Sequence, residues 1–143
     1  MSAAASVVVD TNIFFSALIK PNSQFGKTLV SPSYEFHAVD LVIVELFKHK
    51  ERILAASKLS QRRLTEVFQT YLHCTHLHNA VLLPPEHRRE ALRLCTGIDE
   101  SDAGHVALAL SLDAPLWTGD LALRRGLAER GFTRFFNPAH IDE

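Results

Sequence analysis

Val7-Val8-Val9-Asp10-Thr11-Asn12 is the stretch whose reading decides the fold. Three β-branched residues in succession predict a short strand buried on both faces, as in parallel sheets. The strand ends on a carboxylate. After the polar Thr11-Asn12 pair, the apolar run Ile13-Phe14-Phe15 predicts a helix. Open α/β folds place their chemistry at the carboxyl ends of such strands. The rest of the chain is therefore read for acids that converge on Asp10.

At 143 residues the chain fits a single domain spanning residues 1–143. A chain of this length buries about two-thirds of the surface that its unfolded form exposes. Cys74 and Cys95 form no C-x-x-C pair, and nothing before the first strand resembles a signal peptide, which predicts a reducing, cytoplasmic location. Apolar runs such as Leu41–Phe47 are far too short to span a bilayer. The net charge of −1 gives no support from composition to a nucleic-acid partner. Local basic patches matter more than the total. Lys48/Lys50/Arg52, Arg62/Arg63, Arg88/Arg89 and Arg124/Arg125 are candidates, each also readable as a solvated helix face.

Taken in order, the pattern predicts a helix over Thr11–Ile19, broken by Lys20-Pro21-Asn22-Ser23, and a second helix from Gln24 to about Val30. Tyr34–Val39 has strand composition, and Asp40 is an expected N-cap for a helix from Leu41 to about Ser57. Ser60–His73 is the next helix, and Ala80-Val81-Leu82-Leu83 is the expected third strand. Helices over Glu86–Cys95 and Asp99–Leu112 precede a fourth strand at Pro115–Thr118. A helix over Leu121–Arg130 ends at Gly131, and Thr133–Phe136 is the expected fifth strand. Strands alternating with helices predict a three-layer α/β/α fold around a five-stranded parallel sheet. Right-handed crossovers favour the strand order 3-2-1-4-5, which sets Asp10 beside Asp120 at one edge.

Each acid has a plain structural reading. Asp10 and Asp120 can cap helices, and Asp99 with Asp102 can form a variant capping box. Glu45 is the only charge in Leu41-Val42-Ile43-Val44-Glu45-Leu46-Phe47. A carboxylate in such apolar sequence is seldom left unpaired when buried; its ordinary partner would be Lys48 or His49. In the layout above these acids share one crevice. Two such charges about 4 Å apart repel by about 4 kcal/mol at an effective dielectric of about 20. Either several take up protons or a divalent cation joins them. Oxygen-only ligands favour Mg²⁺ or Mn²⁺ over zinc, and such ions activate water and neutralise charge in phosphodiester hydrolysis.

The segments Val8-Val9-Asp10-Thr11-Asn12, Val44-Glu45-Leu46, Asp99-Glu100-Ser101-Asp102 leading into His105-Val106-Ala107-Leu108-Ala109, and Trp117-Thr118-Gly119-Asp120 occur in the order found in a known family. In these the sequence resembles a PIN domain, the compact metal-dependent nuclease fold common among prokaryotic toxin ribonucleases. The resemblance implies an acidic quartet of Asp10, Glu45, Asp102 and Asp120, catalytic and metal-holding, with Asp99 as a further metal ligand. It implies one or two Mg²⁺ or Mn²⁺ ions. Some members carry another acid two residues beyond the fourth aspartate, where this chain has Ala122, which weakens the case for a second ion. Asn12 is similar to the polar residue that supports the first aspartate, and Thr118 to a hydroxyl that contacts metal-bound water. The implied activity is hydrolysis of single-stranded RNA to 5′ phosphate and 3′ hydroxyl ends. Lys48, Lys50, Arg124 and Arg125, about a helical turn beyond the acids, are the expected phosphate contacts. A toxin role would bring an antitoxin protein. A homodimer is also implied, through the apolar faces of the Leu41–Ser57 and Ser60–His73 helices.

Other readings stand beside this one. His73-Cys74-Thr75-His76-Leu77-His78 is a polar helix end and its loop, with zinc binding as the alternative. His105, three residues after Asp102, either packs or touches substrate. The scattered glycines form no phosphate-binding loop. A haloacid-dehalogenase-type phosphatase also opens on an apolar strand ending in Asp, but it usually carries a second Asp where this chain has Asn12. A non-catalytic RNA- or protein-binding domain of the same fold is the rival from another class.

Overall fold

The computed structural model describes residues 4–138, so the ends of the expected 1–143 domain, 1–3 and 139–143, lie outside the described residues. Four strands, β1 (Ala5–Val9), β2 (Tyr34–Val39), β3 (Thr75–His78) and β4 (Leu116–Trp117), form one parallel sheet in the order β3-β2-β1-β4. Helices α1 (Thr11–Ile19), α2 (Gln24–Leu29), α3 (Leu41–Lys48), α4 (Lys50–Ser57) and α5 (Gln61–His73) precede β3. α6 (Pro85–Cys95), α7 (Ala103–Leu112) and α8 (Leu121–Glu129) follow it.

β1 is central, and its alternating side chains feed two cores. Val7 and Val9 pack with Ile13, Phe14, Phe36 and Val42 on one face. Val8 packs with Val39, Val106, Leu108, Leu116 and Leu123 on the other. The run of β-branched residues is therefore buried on both sides, as its composition requires. Side-chain caps start several helices: Ser23 accepts from Gly26 N–H, Ser60 from Arg63 N–H and Asp120 from Leu123 N–H.

Four expectations need correction. The third strand is Thr75–His78, not Ala80–Leu83; Ala80–Leu82 is a 3₁₀ turn in which Val81 and Leu82 are 70% and 80% exposed. An edge strand is held by its backbone ladder and half-covered, so it need not be apolar. The fifth strand shrinks to a single parallel bridge, Leu116 to Phe135, because β4 offers only two residues to pair. Phe136 still anchors that segment, edge-on against Trp117. Asp40 makes no side-chain cap; its backbone is helical and its N–H extends the sheet by donating to the His78 carbonyl at 2.8 Å. Finally, the Leu41–Ser57 helix is interrupted at His49 (φ −106°, ψ 14°), which separates α3 from α4. The interruption lets Ile53 of α4 enter the same core as Val42 and Leu46 of α3.

Candidate metal centre

Asp10 ends β1 and is 1% exposed. Its Oδ1 caps α1 by accepting from Ile13 N–H at 3.2 Å, whereas its buried Oδ2 has no hydrogen-bond partner. Asp120, after β4, caps α8 through Leu123 N–H at 3.0 Å. Asp99 caps the 3₁₀ turn Glu100–Asp102 that leads into α7, accepting from Ser101 N–H at 3.0 Å. The capping readings of Asp10, Asp99 and Asp120 are thus correct, and each of these caps engages the Oδ1 oxygen. One oxygen each from Asp99, Asp102 and Asp120 lies within 4.8 Å of the others.

Asp10 faces this triad closely enough to be felt. Burial pushes the Asp10 carboxyl up to about 6, with Asp120 adding to the rise, while Thr118 and the Ile13 and Asn12 amides oppose it. Asp102 is pushed up to about 7, first by burial and then by Asp99, Asp10 and Asp120. Asp99 is held below the usual carboxylate range by its hydrogen bonds from Ser101. Two carboxyls that resist ionisation beside further acids describe a centre short of positive charge.

Glu45 comes from α3 on the other side of the cleft, which it lines with Thr11, Asn12, Phe15, His49, Asp99, Ser101 and Asp102. Its partner is neither Lys48 nor His49: the Thr11 hydroxyl donates to Glu45 Oε1 at 2.8 Å. His105 Nε2 lies 3.4 Å from that hydroxyl and 4.0 Å from the carboxylate. Burial lowers His105 to about 4, so the imidazole is neutral and its contact with Glu45 is not an ion pair. Of the two readings of His105, packing is the one that its burial favours.

The donor set suits a hard divalent cation: carboxylate oxygens only, one of them buried without a partner. The family model of the PIN domain matches residues 8–135. The chain belongs to the PIN-domain family. No curated protein matches the sequence as a relative. The PIN assignment removes the phosphatase alternative, and the acidic cluster is of the kind this generally nuclease family uses to hold divalent metal.

The expected phosphate contacts are less well placed. The guanidinium of Arg124 lies over the Phe135 ring at 5.0 Å and lines a hollow with Tyr34 and Pro115, at the amino-terminal side of the strands. Lys50 lines an apolar groove with Leu18, Ile43 and Phe47. Arg125 and Lys48 are exposed. Arg52 reaches a residue of the PIN cleft: its guanidinium lies 5.2 Å over the ring of Phe15, which meets His49 edge-on with ring centroids 6.2 Å apart. Sequence reasoning named Arg52 within the Lys48/Lys50/Arg52 patch but did not join it to Phe15 and His49. The available signal was helical phase: Phe14 is buried in the core, so Phe15 beside it must face elsewhere.

Proposed function

We propose that this PIN domain is a metal-dependent endoribonuclease that hydrolyses phosphodiester bonds of single-stranded RNA. The observation that carries the reading is the Asp99–Asp102–Asp120 triad, to which the buried carboxyl of Asp10 is electrostatically coupled through Asp102 and Asp120. The quartet of Asp10, Glu45, Asp102 and Asp120 would hold one or two Mg²⁺ or Mn²⁺ ions, with Asp99 as a further ligand. A bound ion of this class activates water and neutralises charge on the phosphate. The chain's own residues prepare that chemistry. Thr11 fixes the orientation of Glu45, and neutral His105 closes the wall behind Thr11. Thr118, buried beside Asp10, draws the Asp10 carboxyl back toward ionisation. Asn12 contributes its backbone amide to Asp10 and its side of the cleft wall.

Phe15, His49 and Arg52 give the substrate strand a place to lie: an aromatic face for a base and a cation for a flanking phosphate. This platform takes the role that Lys48, Lys50, Arg124 and Arg125 were expected to fill. A toxin held in check by an antitoxin protein is the biological setting we favour on family grounds, in the cytoplasm. Among the described residues, no helix is long and apolar enough to cross a membrane. A homodimer is proposed through α3 and α5, where Phe47 stands 75% exposed beside the groove formed by Ile43, Leu46, Leu64 and Phe68.

The test is cleavage of a labelled single-stranded RNA in Mn²⁺. The parent protein is expected to release fragments with 5′ phosphates, and Asp10→Asn to release none. Binding of RNA by the parent with no cleavage in Mn²⁺ or Mg²⁺ would replace the enzyme with a binding module.

A further inference from the structure

His105 is the buried polar group beside the acids to which no role beyond packing has been given. It sits on α7, three residues after Asp102, and is 1% exposed; burial keeps its ring neutral. Its Nε2 lies 3.4 Å from the Thr11 hydroxyl, and its Nδ1 is buried without a hydrogen-bond partner. The same hydroxyl donates to Glu45 Oε1 at 2.8 Å, and Nε2 is 4.0 Å from that oxygen. Side chains from α7, α1 and α3 thus form one chain, His105 to Thr11 to Glu45.

The hydroxyl decides how this chain is wired. It carries a single proton and two lone pairs. The carboxylate is a stronger acceptor than a neutral imidazole, so the proton goes to Glu45 and Thr11 has only a lone pair to offer His105. Nε2 therefore carries the imidazole proton and Nδ1 is bare. The other tautomer would turn two lone pairs on each other. It would also bury an N–H at Nδ1 with no acceptor, the rarer kind of orphan in folded proteins.

Taking the site as the metal-dependent centre proposed above, we propose that His105 is a positioning residue for it: its Nε2–H orients the Thr11 hydroxyl and, through it, the Glu45 carboxylate. Glu45 is the acid most in need of such help. Its side chain is 31% exposed, and it is not one of the three acids whose oxygens gather within 4.8 Å of one another. It nevertheless lines the same cleft as Asp99 and Asp102. Held by Thr11, its charge stays in that cleft; released, a long and partly exposed side chain regains its rotamer freedom and swings toward solvent. His105 thus ties the α3 side of the cleft to the helix that begins at Asp102. Hydrogen-bond partners behind a metal-holding group change metal affinity by about 10–100-fold when they are removed.

The experiment is calorimetric titration of the metal-free protein with Mn²⁺, with no RNA present. Thr11→Val and His105→Leu are each expected to weaken binding by about tenfold. The double variant should be no weaker than either, because both changes cut one chain. Thr11→Ser and His105→Gln, which keep the hydroxyl and an N–H, should bind as the parent does. A histidine that merely packs predicts no loss in His105→Leu, since leucine fills much of the same space. In RNA cleavage the two losses should fall on kcat and leave KM unchanged. Circular dichroism checks that each variant is folded. A long-range proton–nitrogen NMR spectrum of the parent reads the tautomer directly, whatever the fate of the variants, and should show the proton on Nε2. A proton on Nδ1 overturns the proposal, as does parent-like Mn²⁺ affinity in folded Thr11→Val or additive losses in the double variant. A parent that binds no Mn²⁺ overturns the metal-dependent reading instead, with the tautomer still deciding how Glu45 is held.

Discussion

The acid crevice and the histidine cluster are products of one parallel sheet, but they are made by different rules. The acids sit where strands end and helices begin, so each is delivered by its own loop and faces the others across a gap. The histidines sit within paired strands, where the ladder presses side chains together whatever their chemistry. The first arrangement buries carboxyls beside one another, and burial first and the neighbouring acids second raise Asp10 and Asp102 against ionisation. The second, where β2 pairs with β3, gathers the imidazole nitrogens of His37, His76 and His78 around one carboxylate, that of Glu35. A hard divalent cation suits the first set of donors, whereas imidazole and carboxylate in the second can satisfy one another.

The comparison breaks most visibly in catalysis. Asp102→Asn is expected to lower RNA cleavage by about a hundredfold or more, the scale of losing one preorganised charge-stabilising group. His76→Ala should leave the rate within twofold. A large loss of cleavage in folded His76→Ala would make the two regions one functional unit, contrary to their separation in the fold.

Stability as a function of pH sharpens the same contrast. The folded-state values of about 6 for Asp10 and about 7 for Asp102 lie above the usual unfolded carboxylate value. At these two sites the native state therefore binds more protons than the unfolded state between about pH 4 and 7, whereas His105 and His37, lowered chiefly by burial, act in the opposite sense. The metal-free parent should lose stability relative to Asp102→Asn as pH rises through that window, because the histidines are common to both proteins. Mn²⁺ at pH 7.5 should restore stability to the parent. Urea denaturation of the two proteins across the series measures both, and a parent that gains on Asp102→Asn from pH 4 to 7 would contradict the acid-cluster electrostatics.

The smallest effect concerns the cleft wall. Arg52→Ala should raise KM several-fold with kcat little changed, the signature of a contact made equally before and during reaction. Arg124→Ala, directed to the far side of the sheet, should change neither. The reverse outcome would return the substrate strand to the surface expected from sequence.

What could be read beforehand follows the same division. Asp10, Asp99, Asp102 and Asp120 were legible because strand-end acids and helix caps are local features. Glu45 stood out as a lone charge in an apolar run, although its partner, Thr11, lies 34 residues away. The histidine cluster was not legible. Neighbours in sequence pointed to His73, Cys74, His76 and His78 as a set, whereas the ladder removes the first two and supplies Glu35 and His37 from another strand. The third strand was misplaced for a related reason: apolar composition marked Ala80–Leu83, while backbone pairing selected the polar residues just before it. Lys50 follows the interruption at His49, beyond which the phase read for one continuous helix does not apply, and it lines the apolar groove of Leu18, Ile43 and Phe47.

The two walls of the acid crevice are rooted in different cores. Thr11 and Glu45 ride on helices packed around Ile13, Val42 and Leu46, whereas Asp102 and Asp120 ride on those packed around Val106, Leu108 and Leu123. The central sheet lies between these layers like a partition, and the crevice is the seam where they meet. Its width is therefore an adjustable dimension. Trimming a methylene from either layer would reset the spacing of the jaws, and with it the size of ion they grip, without touching a single acid.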